Sequence, residues 1–228
     1  PWELAHAGRL TEADKERCPI QTRHFSYRGD NKDNNINDLE NPYNEIKRFD
    51  WIRGDIVGGR SLLWGRQSYR LSNMDFEANV RDGIAVDWPI RYQDIAPWYD
   101  YVEQFVGISG QAEGIPHLPD GKFLPPMEMN CVEQDFKSKL KQAFPDRYLT
   151  IGRVANLTQP VKGRGQCQYR NLCHRGCPYG AYFSTNASTL PAAFATGNLT
   201  LRPHSLVNRV IYDEKLGRAR GVELIDTE

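Results

Sequence analysis

Three cysteines in the C-terminal half of the chain are close enough in sequence to share one ligand. Cys167, Cys173 and Cys177 stand in the stretch G-Q-C-Q-Y-R-N-L-C-H-R-G-C-P-Y-G-A-Y, with the spacing C-x5-C-x3-C. Thiolates select soft centres such as zinc and iron–sulfur clusters over hard cations. A closed zinc site takes four ligands, whereas three thiols suit a cluster with three ligated irons. A disulfide with one spare thiol, and three reduced thiols in a tight loop, are the alternatives.

A second segment could bring the main chain close to a ligand. Residues 51–72 read W-I-R-G-D-I-V-G-G-R-S-L-L-W-G-R-Q-S-Y-R-L-S, in which glycines interrupt apolar and aromatic residues. Paired glycines allow backbone N–H groups to approach the edge of a ligand. The sequence has no G-x-G-x-x-G, Walker A, H-E-x-x-H or G-x-S-x-G motif. From the residues alone we predict an approach loop and a thiolate site, without a named reaction.

Composition narrows the classes of partner. The chain has 228 residues with 29 basic and 29 acidic side chains, so no charge excess favours nucleic acid or an anionic membrane. No apolar run approaches the roughly 20 residues of a membrane helix. Five cysteines, an odd number, do not make a disulfide framework. Because the chain starts at Pro1, we expect an internal fragment of a longer protein, and its cellular location (bacterial cytoplasm or periplasm) stays open.

Periodicity and caps predict the helices. A short helix is expected near Thr11–Arg17 within an otherwise irregular, polar region 1–50. The others are expected at Gln93–Phe105, with Asp94 as cap and Pro97 in the first turn, at Cys131–Phe144, with an Asn130/Glu133 capping box, and at Asn186–Thr196, ended by Gly197. The stripes Trp98, Val102, Phe105, Val106 and Val132, Phe136, Leu140, Phe144 are expected to be core. Apolar runs at 199–202, 205–212 and 219–226 predict a β-meander, and the fold class is α/β or α+β.

Three blocks of the sequence resemble one enzyme family. The blocks V-G-G-R-S-L-L-W-G, D-W-P-I-R-Y-Q-D-I-A-P-W-Y-D-Y-V-E and G-C-P-Y-G-A-Y-F-S-T-N-A-S-T-L-P-A-A-F-A-T-G-N-L-T-L-R-P-H-S-L-V-N-R-V stand in register over residues 50–228. They are similar to blocks of the glucose–methanol–choline (GMC) oxidoreductases, most of all to bacterial FAD-dependent sugar dehydrogenase-like members. The resemblance implies an α/β protein that passes a hydride from a sugar or polyol to flavin N5. A non-catalytic thiolate-metal binding module is the alternative.

The resemblance also implies an organisation. The chain would hold part of a Rossmann-like FAD-binding domain and part of the substrate or cap region, without the N-terminal βαβ unit and the C-terminal catalytic part. The expected segments are a polar insertion (1–50), the flavin-approach loop (51–84), a helical cap region (85–160), the cysteine loop (161–182), and a helix with a β-meander (183–228). Catalytic residues are expected outside the chain, and the 228 residues alone are expected to be inactive.

Individual positions follow from the same resemblance. The residues that match the loop beside the isoalloxazine ring are Gly58, Gly59, Ser61, Leu63, Trp64 and Gly65, and Val207 matches the strand whose backbone recognises adenine. Leu63 stands where some relatives carry a flavin-linking histidine, so FAD is expected to be non-covalent. The cysteine spacing resembles that of subunits in which three such cysteines bind a three-iron four-sulfur cluster. Cys167, Cys173 and Cys177 would then ligate it and pass electrons to an acceptor protein, while the missing fourth thiol argues against zinc.

Overall fold

A computed structural model describes residues 10–24, 27, 29, 31–173 and 176–228. The chain divides into two units, one ending at Thr189 and one covering Leu190–Glu228. The α-helices are α1 (Glu12–Arg17), α2 (Asn73–Phe76), α3 (Ala78–Asp82), α4 (Tyr92–Val106), α5 (Cys131–Ala143) and α6 (Thr189–Ala195), and the strands are β1 (Ser205–Asp213) and β2 (Arg218–Asp226). Short 3₁₀ turns include Gly59–Leu62 and Thr185–Ala187. This mixture of helix and strand agrees with the predicted α/β class, and no helix in the described ranges is long and apolar enough to cross a bilayer.

Local capping sets the start of two predicted helices. The Asn130 side chain accepts hydrogen bonds from the backbone N–H groups of Val132 and Glu133, both at 3.0 Å, and the Glu133 carboxylate accepts from the Asn130 N–H at 2.8 Å. The same reciprocal arrangement joins Thr11 and Asp14 ahead of α1. Each box satisfies amide donors that the first helical turn leaves unpaired. Both helices therefore begin where the sequence predicts.

Helix α4 differs from its prediction at its first turn. It is capped by Arg91, and the Asp94 carboxylate accepts from the Arg91 N–H at 2.7 Å instead of serving as the cap. Pro97 consequently lies in the second turn, where its missing N–H removes a bond to the carbonyl of Gln93. The helix ends at Gly107, whose φ of +80° is a left-handed conformation that glycine adopts without strain.

The core of the larger unit lies beside the end of α4. Val106, Ile108 and Ala155 form it, and the aromatic side chains packed against it are Trp64, Phe105, Phe123 and Phe183. Backbone hydrogen bonds join the segments that supply these residues: Ala155 N–H donates to Arg66 O at 2.9 Å, and Phe183 N–H donates to Ala155 O at 3.0 Å. Residues 153–155 thus hold the segments after the glycine loop and after the cysteines side by side.

The predicted stripe on α5 is exposed, so its assignment to the core was wrong, whereas the predicted stripe on α4 is divided between the core and the surface. On α5, Val132 is 72% exposed and Phe136 is 55% exposed, and no residue of this helix is buried. On α4, Val106 is buried, but Trp98 is 68% exposed. Periodicity places apolar residues on one face of a helix, but it does not supply a second element to cover that face.

In the unit Leu190–Glu228 the strands form a single antiparallel hairpin, with Ser205 opposite Asp226 and Asp213 opposite Arg218. The turn between Asp213 and Gly217 is where the sequence predicts it. The run 199–202 is not a strand, which corrects the predicted meander. Pro203 follows the run directly and has no N–H to donate to a ladder. Helix α6 also begins at Thr189 instead of Asn186, because residues 185–187 form a separate 3₁₀ turn capped by the Ser184 hydroxyl.

Candidate functional site

The paired glycines form a sharp turn that other residues could not easily adopt. Gly58 has a φ of +103° and precedes the 3₁₀ turn Gly59–Leu62. Its carbonyl accepts from both the N–H of Ser61, at 3.1 Å, and the Ser61 hydroxyl, at 2.6 Å. A Cβ at position 58 would lie 2.7 Å from the Oδ1 atom of Asn186, whereas one at Gly59 would meet no atom within 4 Å. The turn is therefore tight at Gly58 and open at Gly59.

A distant segment holds this turn in place. The Asn186 amide donates to the Val57 carbonyl at 2.9 Å, and the Thr185 N–H donates to the Ser61 hydroxyl at 3.0 Å. The predicted loop residues Gly58, Gly59 and Ser61 thus lie together, against residues 185–186. The sequence reasoning missed these two partners because nothing in the local pattern points across more than a hundred residues.

The predicted residues that follow the turn lie in different environments. Leu63 is buried, and a Cβ on Gly54 would come within 3.0 Å of its Cδ1 atom. Trp64 packs edge-on against Phe183, with ring centroids 6.1 Å apart, and its buried indole N–H has no hydrogen-bond partner among the described residues. Gly65 is open, since an added Cβ would meet nothing within 4 Å. An unpaired buried donor next to open backbone fits a loop that receives a polar ligand.

Arg66 links the glycine loop to the second segment, and the sequence reasoning overlooked it. Its guanidinium donates to the carbonyls of Phe183 (2.8 Å), Ser61 (2.9 Å) and Trp64. It also lies over the ring of Tyr182, 3.7 Å from the centroid. Burial lowers the pKa of Arg66, and the neighbouring Tyr182 opposes that shift. A charged residue directly after W-G in an apolar stretch was the available signal.

Two of the three predicted cysteines, Cys173 and Cys177, lie near Arg66. Cys167, Cys173 and Cys177 are half-buried free thiols. The Cys167 sulfur accepts from the Tyr169 N–H at 3.4 Å and from the Asn156 amide at 3.7 Å. Burial, together with the charges of the other two cysteines, raises the pKa of Cys173, and Arg66 opposes that rise. Cys173 and Cys177 thus lie within electrostatic reach of the Arg66 cation.

The chemistry of the cysteine donors favours a metal site, but their arrangement in the structure does not. Hydrogen bonds to sulfur and a nearby cation are features that tune cysteine-ligated clusters, so the donor chemistry fits a soft metal centre. Over residues 31–173 and 176–228, however, no three His, Cys, Asp or Glu side chains are arranged to hold a metal ion. His174 lies outside the described residues. Val207, the remaining predicted position, pairs with Leu224 in the C-terminal hairpin.

The sequence profile of one family, described as GMC oxidoreductase, matches residues 41–228. The chain belongs to the GMC oxidoreductase family. The matched domain is the family's FAD-binding region, and family members oxidise CH–OH groups. The predicted family is confirmed.

Characterised relatives show the range of the family. The chain is 28% identical to a 2-methyl-1,2-propanediol dehydrogenase of Mycolicibacterium austroafricanum over 75% of its own length and 31% of the relative's. It is 30% identical to a paromamine 6′-oxidase of Streptomyces fradiae, over 64% of this chain and 26% of the relative. It is 25% identical to a fructose dehydrogenase large subunit of Gluconobacter japonicus, over 67% of this chain and 28% of the relative. The matched part of the chain spans between 26% and 31% of the length of these GMC relatives.

Proposed function

We propose that the protein containing this chain is an FAD-dependent dehydrogenase that oxidises a CH–OH group of a sugar or polyol. The observation that carries the proposal is the loop from Gly58 to Gly65, where an unpaired buried indole N–H lies beside open glycine backbone. Membership of the GMC family supplies the cofactor and the reaction class. The named activities of two relatives, on 2-methyl-1,2-propanediol and on fructose, support a polyol or sugar as the substrate class.

The residues of the loop would bind and orient the flavin. FAD, when bound, supplies the acceptor for the hydride. Gly59 and Gly65 would leave room for the cofactor to approach the main chain, and the Trp64 N–H would be a hydrogen-bond donor for it. Arg66 fixes the loop through three carbonyls. Leu63 has no nucleophilic nitrogen, so this position would hold the flavin without a covalent bond.

A second proposal concerns the thiols. We propose that Cys167, Cys173 and Cys177 ligate a three-iron four-sulfur cluster that serves an external electron acceptor. Support comes from their spacing, from the two hydrogen bonds to the Cys167 sulfur and from the nearby Arg66. The intact protein, purified without oxygen, is then expected to hold about three irons per chain and to lose them when Cys173→Ser is introduced. Metal analysis that finds no iron would leave the cysteines as structural thiols.

Replacing Trp64 tests the flavin site. Trp64→Phe keeps an aromatic ring against Phe183 but removes the indole N–H, so the Kd for FAD should rise about fivefold, the value of one ordinary hydrogen bond. Trp88→Phe is the matched control, because Trp88 packs edge-on against another phenylalanine, Phe76. Flavin fluorescence titration of the apoprotein measures both variants.

Substrate bleaching of the bound flavin completes that test. A polyol or sugar should bleach the flavin absorption of the intact protein under anaerobic conditions. An intact protein that binds no FAD contradicts the proposal and favours the thiolate-metal binding module. The 228 residues by themselves are expected to bind FAD weakly and to show no turnover with a dye acceptor.

A further inference from the structure

A cavity of about 450 Å³ lies between helix α5 and the main body of the larger unit. Its walls are residues 111–113, one face of α5 and residues 147–150. None of the glycine-loop or cysteine residues described above lines it. We infer that this cavity binds a small anionic molecule through a carboxylate or phosphate group, at a site separate from the proposed flavin loop.

The lining charges favour an anion. Lys137 and Lys141, four residues apart on α5, present their side chains on the same face of the helix, and Arg147 follows the helix. Glu113 is the one acidic residue of the lining. Three cations against one carboxylate give the cavity an excess of about two positive charges, whereas the chain as a whole carries no net charge. The excess is therefore local to this cavity.

The cationic wall is held in place by its neighbours. The Lys141 ammonium donates to the Pro145 carbonyl at 2.6 Å and lies 4.7 Å from the centroid of the Tyr148 ring. An ammonium has three N–H donors, so two are available for a ligand. The Tyr148 ring thereby fixes a lysine that would otherwise sample many rotamers, which reduces the entropy lost on binding.

The opposite wall is rigid for another reason. The backbone N–H groups of Glu113 and Gly114 each donate to the Asp120 carboxylate at 2.9 Å. Asp120 is in turn paired with the buried guanidinium of Arg153, at 3.0 Å. The cavity therefore lies between a loop held by hydrogen bonds to Asp120 and the charged face of α5, and it is already formed without a ligand.

Shape favours a small molecule over a protein partner. The volume falls within the range of about 300–1,000 Å³ that is typical of small-molecule sites. The Gln111 amide and the Thr150 hydroxyl add hydrogen-bonding groups to the lining. A concave site with a few polar groups suits a carboxylate or a phosphate ester that enters it. An acidic protein surface would instead contact the same lysines without filling the cavity.

The acid in the wall provides a pH signature. Burial raises the pKa of Glu113; Asp120 adds to that rise, and Lys137 and Arg153 oppose it. The other charged groups that face the cavity are the side chains of Lys141 and Arg147. Protonation of Glu113 on acidification removes the one negative charge of the lining, so an anion whose own charge is constant over the range should bind more tightly as the pH falls toward the raised pKa of Glu113.

Calorimetric titration of the intact protein with citrate and with inorganic phosphate tests this inference. Lys137→Gln and Lys141→Gln should each raise the Kd about fivefold, whereas Glu113→Gln should lower it by a similar factor. Lys139→Gln is the matched control, since Lys139 stands on the same helix, pairs with Asp135 at 2.7 Å and does not line the cavity. Its Kd should stay within about twofold of the parent value.

The Kd of Glu113→Gln is expected to fall while the Kd values of the lysine variants rise. Misfolding cannot produce this fall, because a damaged protein does not bind its ligand more tightly. If either lysine variant is unstable, Arg147→Gln takes its place. Two results would overturn the inference: no binding of either probe at millimolar concentration, or an equal loss of affinity in Lys139→Gln, which would reveal only general charge attraction. Binding of acidic proteins without binding of the small probes would also overturn it, since the lysines would then serve a docking surface.

Discussion

Replacing Gly58 by alanine is the sharpest perturbation of the proposed flavin loop. The first cost is conformational, because a side chain at a φ of +103° is strained by about 1–2 kcal/mol. The second cost is steric, because the new Cβ would lie 2.7 Å from Oδ1 of Asn186 and the amide must rotate away. That rotation breaks the bond from Asn186 to the Val57 carbonyl, which is worth about 1 kcal/mol. We expect a total loss of about 2–3 kcal/mol in the free energy of unfolding.

Replacing Gly59 by alanine is a control that carries the conformational cost but not the steric cost. Its φ is also positive, at +48°, but an added Cβ meets nothing within 4 Å. Gly59→Ala should therefore cost about 1–2 kcal/mol. In a background of Asn186→Ala the steric cost disappears, so Gly58→Ala should then cost about as much as Gly59→Ala.

Urea unfolding of the four variants measures these free energies, and FAD titration of the intact protein follows the same order if the loop holds the cofactor. The reasoning fails if Gly58→Ala is no more damaging than Gly59→Ala in the parent protein. It also fails if removal of the Asn186 side chain leaves the cost of Gly58→Ala unchanged. Either result would mean that Asn186 does not contact the turn.

Three further predictions follow from single contacts. Acid precipitation of the intact protein should release yellow flavin into the supernatant, since Leu63 cannot form a covalent link; flavin in the pellet would contradict this. Arg70→Met should lower the free energy of unfolding by about 3–5 kcal/mol, because it leaves the buried Glu103 carboxylate, 2.8 Å from the Arg70 Nε, without its partner; urea unfolding that matches the parent would refute it. Burial of Asp120 acts to raise its pKa, but two backbone N–H groups and Arg153 outweigh it and hold that pKa below the ordinary value of 3.8. The ionised Asp120 therefore stabilises the fold above pH 3.8, and this stabilisation is lost as the pH falls through the lower pKa of the folded state. Asp120→Asn should flatten the acid side of the stability curve measured between pH 2 and 6, and an unchanged slope would count against the pairing.

Features decided by local sequence could be predicted, and features decided by distant partners could not. The capping boxes at Thr11 and Asn130 depend on residues three positions apart, and both helices begin as expected. The burial of the Phe136 stripe depends on a covering element, which the sequence pattern does not specify, and that expectation failed. Arg66 was missed for the same reason, because two of its partners, Phe183 O and the Tyr182 ring, lie more than a hundred residues away. The family was found because motif blocks carry information that periodicity lacks.

The contacts of Arg66 bear on how freely this region can vary. All three of its acceptors are peptide carbonyls, at positions 61, 64 and 183, and every amino acid supplies that group. Side chains at these positions can therefore change without removing an acceptor, while the arginine itself has no substitute with the same forked geometry. Libraries that diversify this loop should therefore keep Arg66 fixed. Covariation between sequences would not reveal the three carbonyl contacts, since their acceptors are main-chain groups; only the contact with the Tyr182 ring joins two side chains.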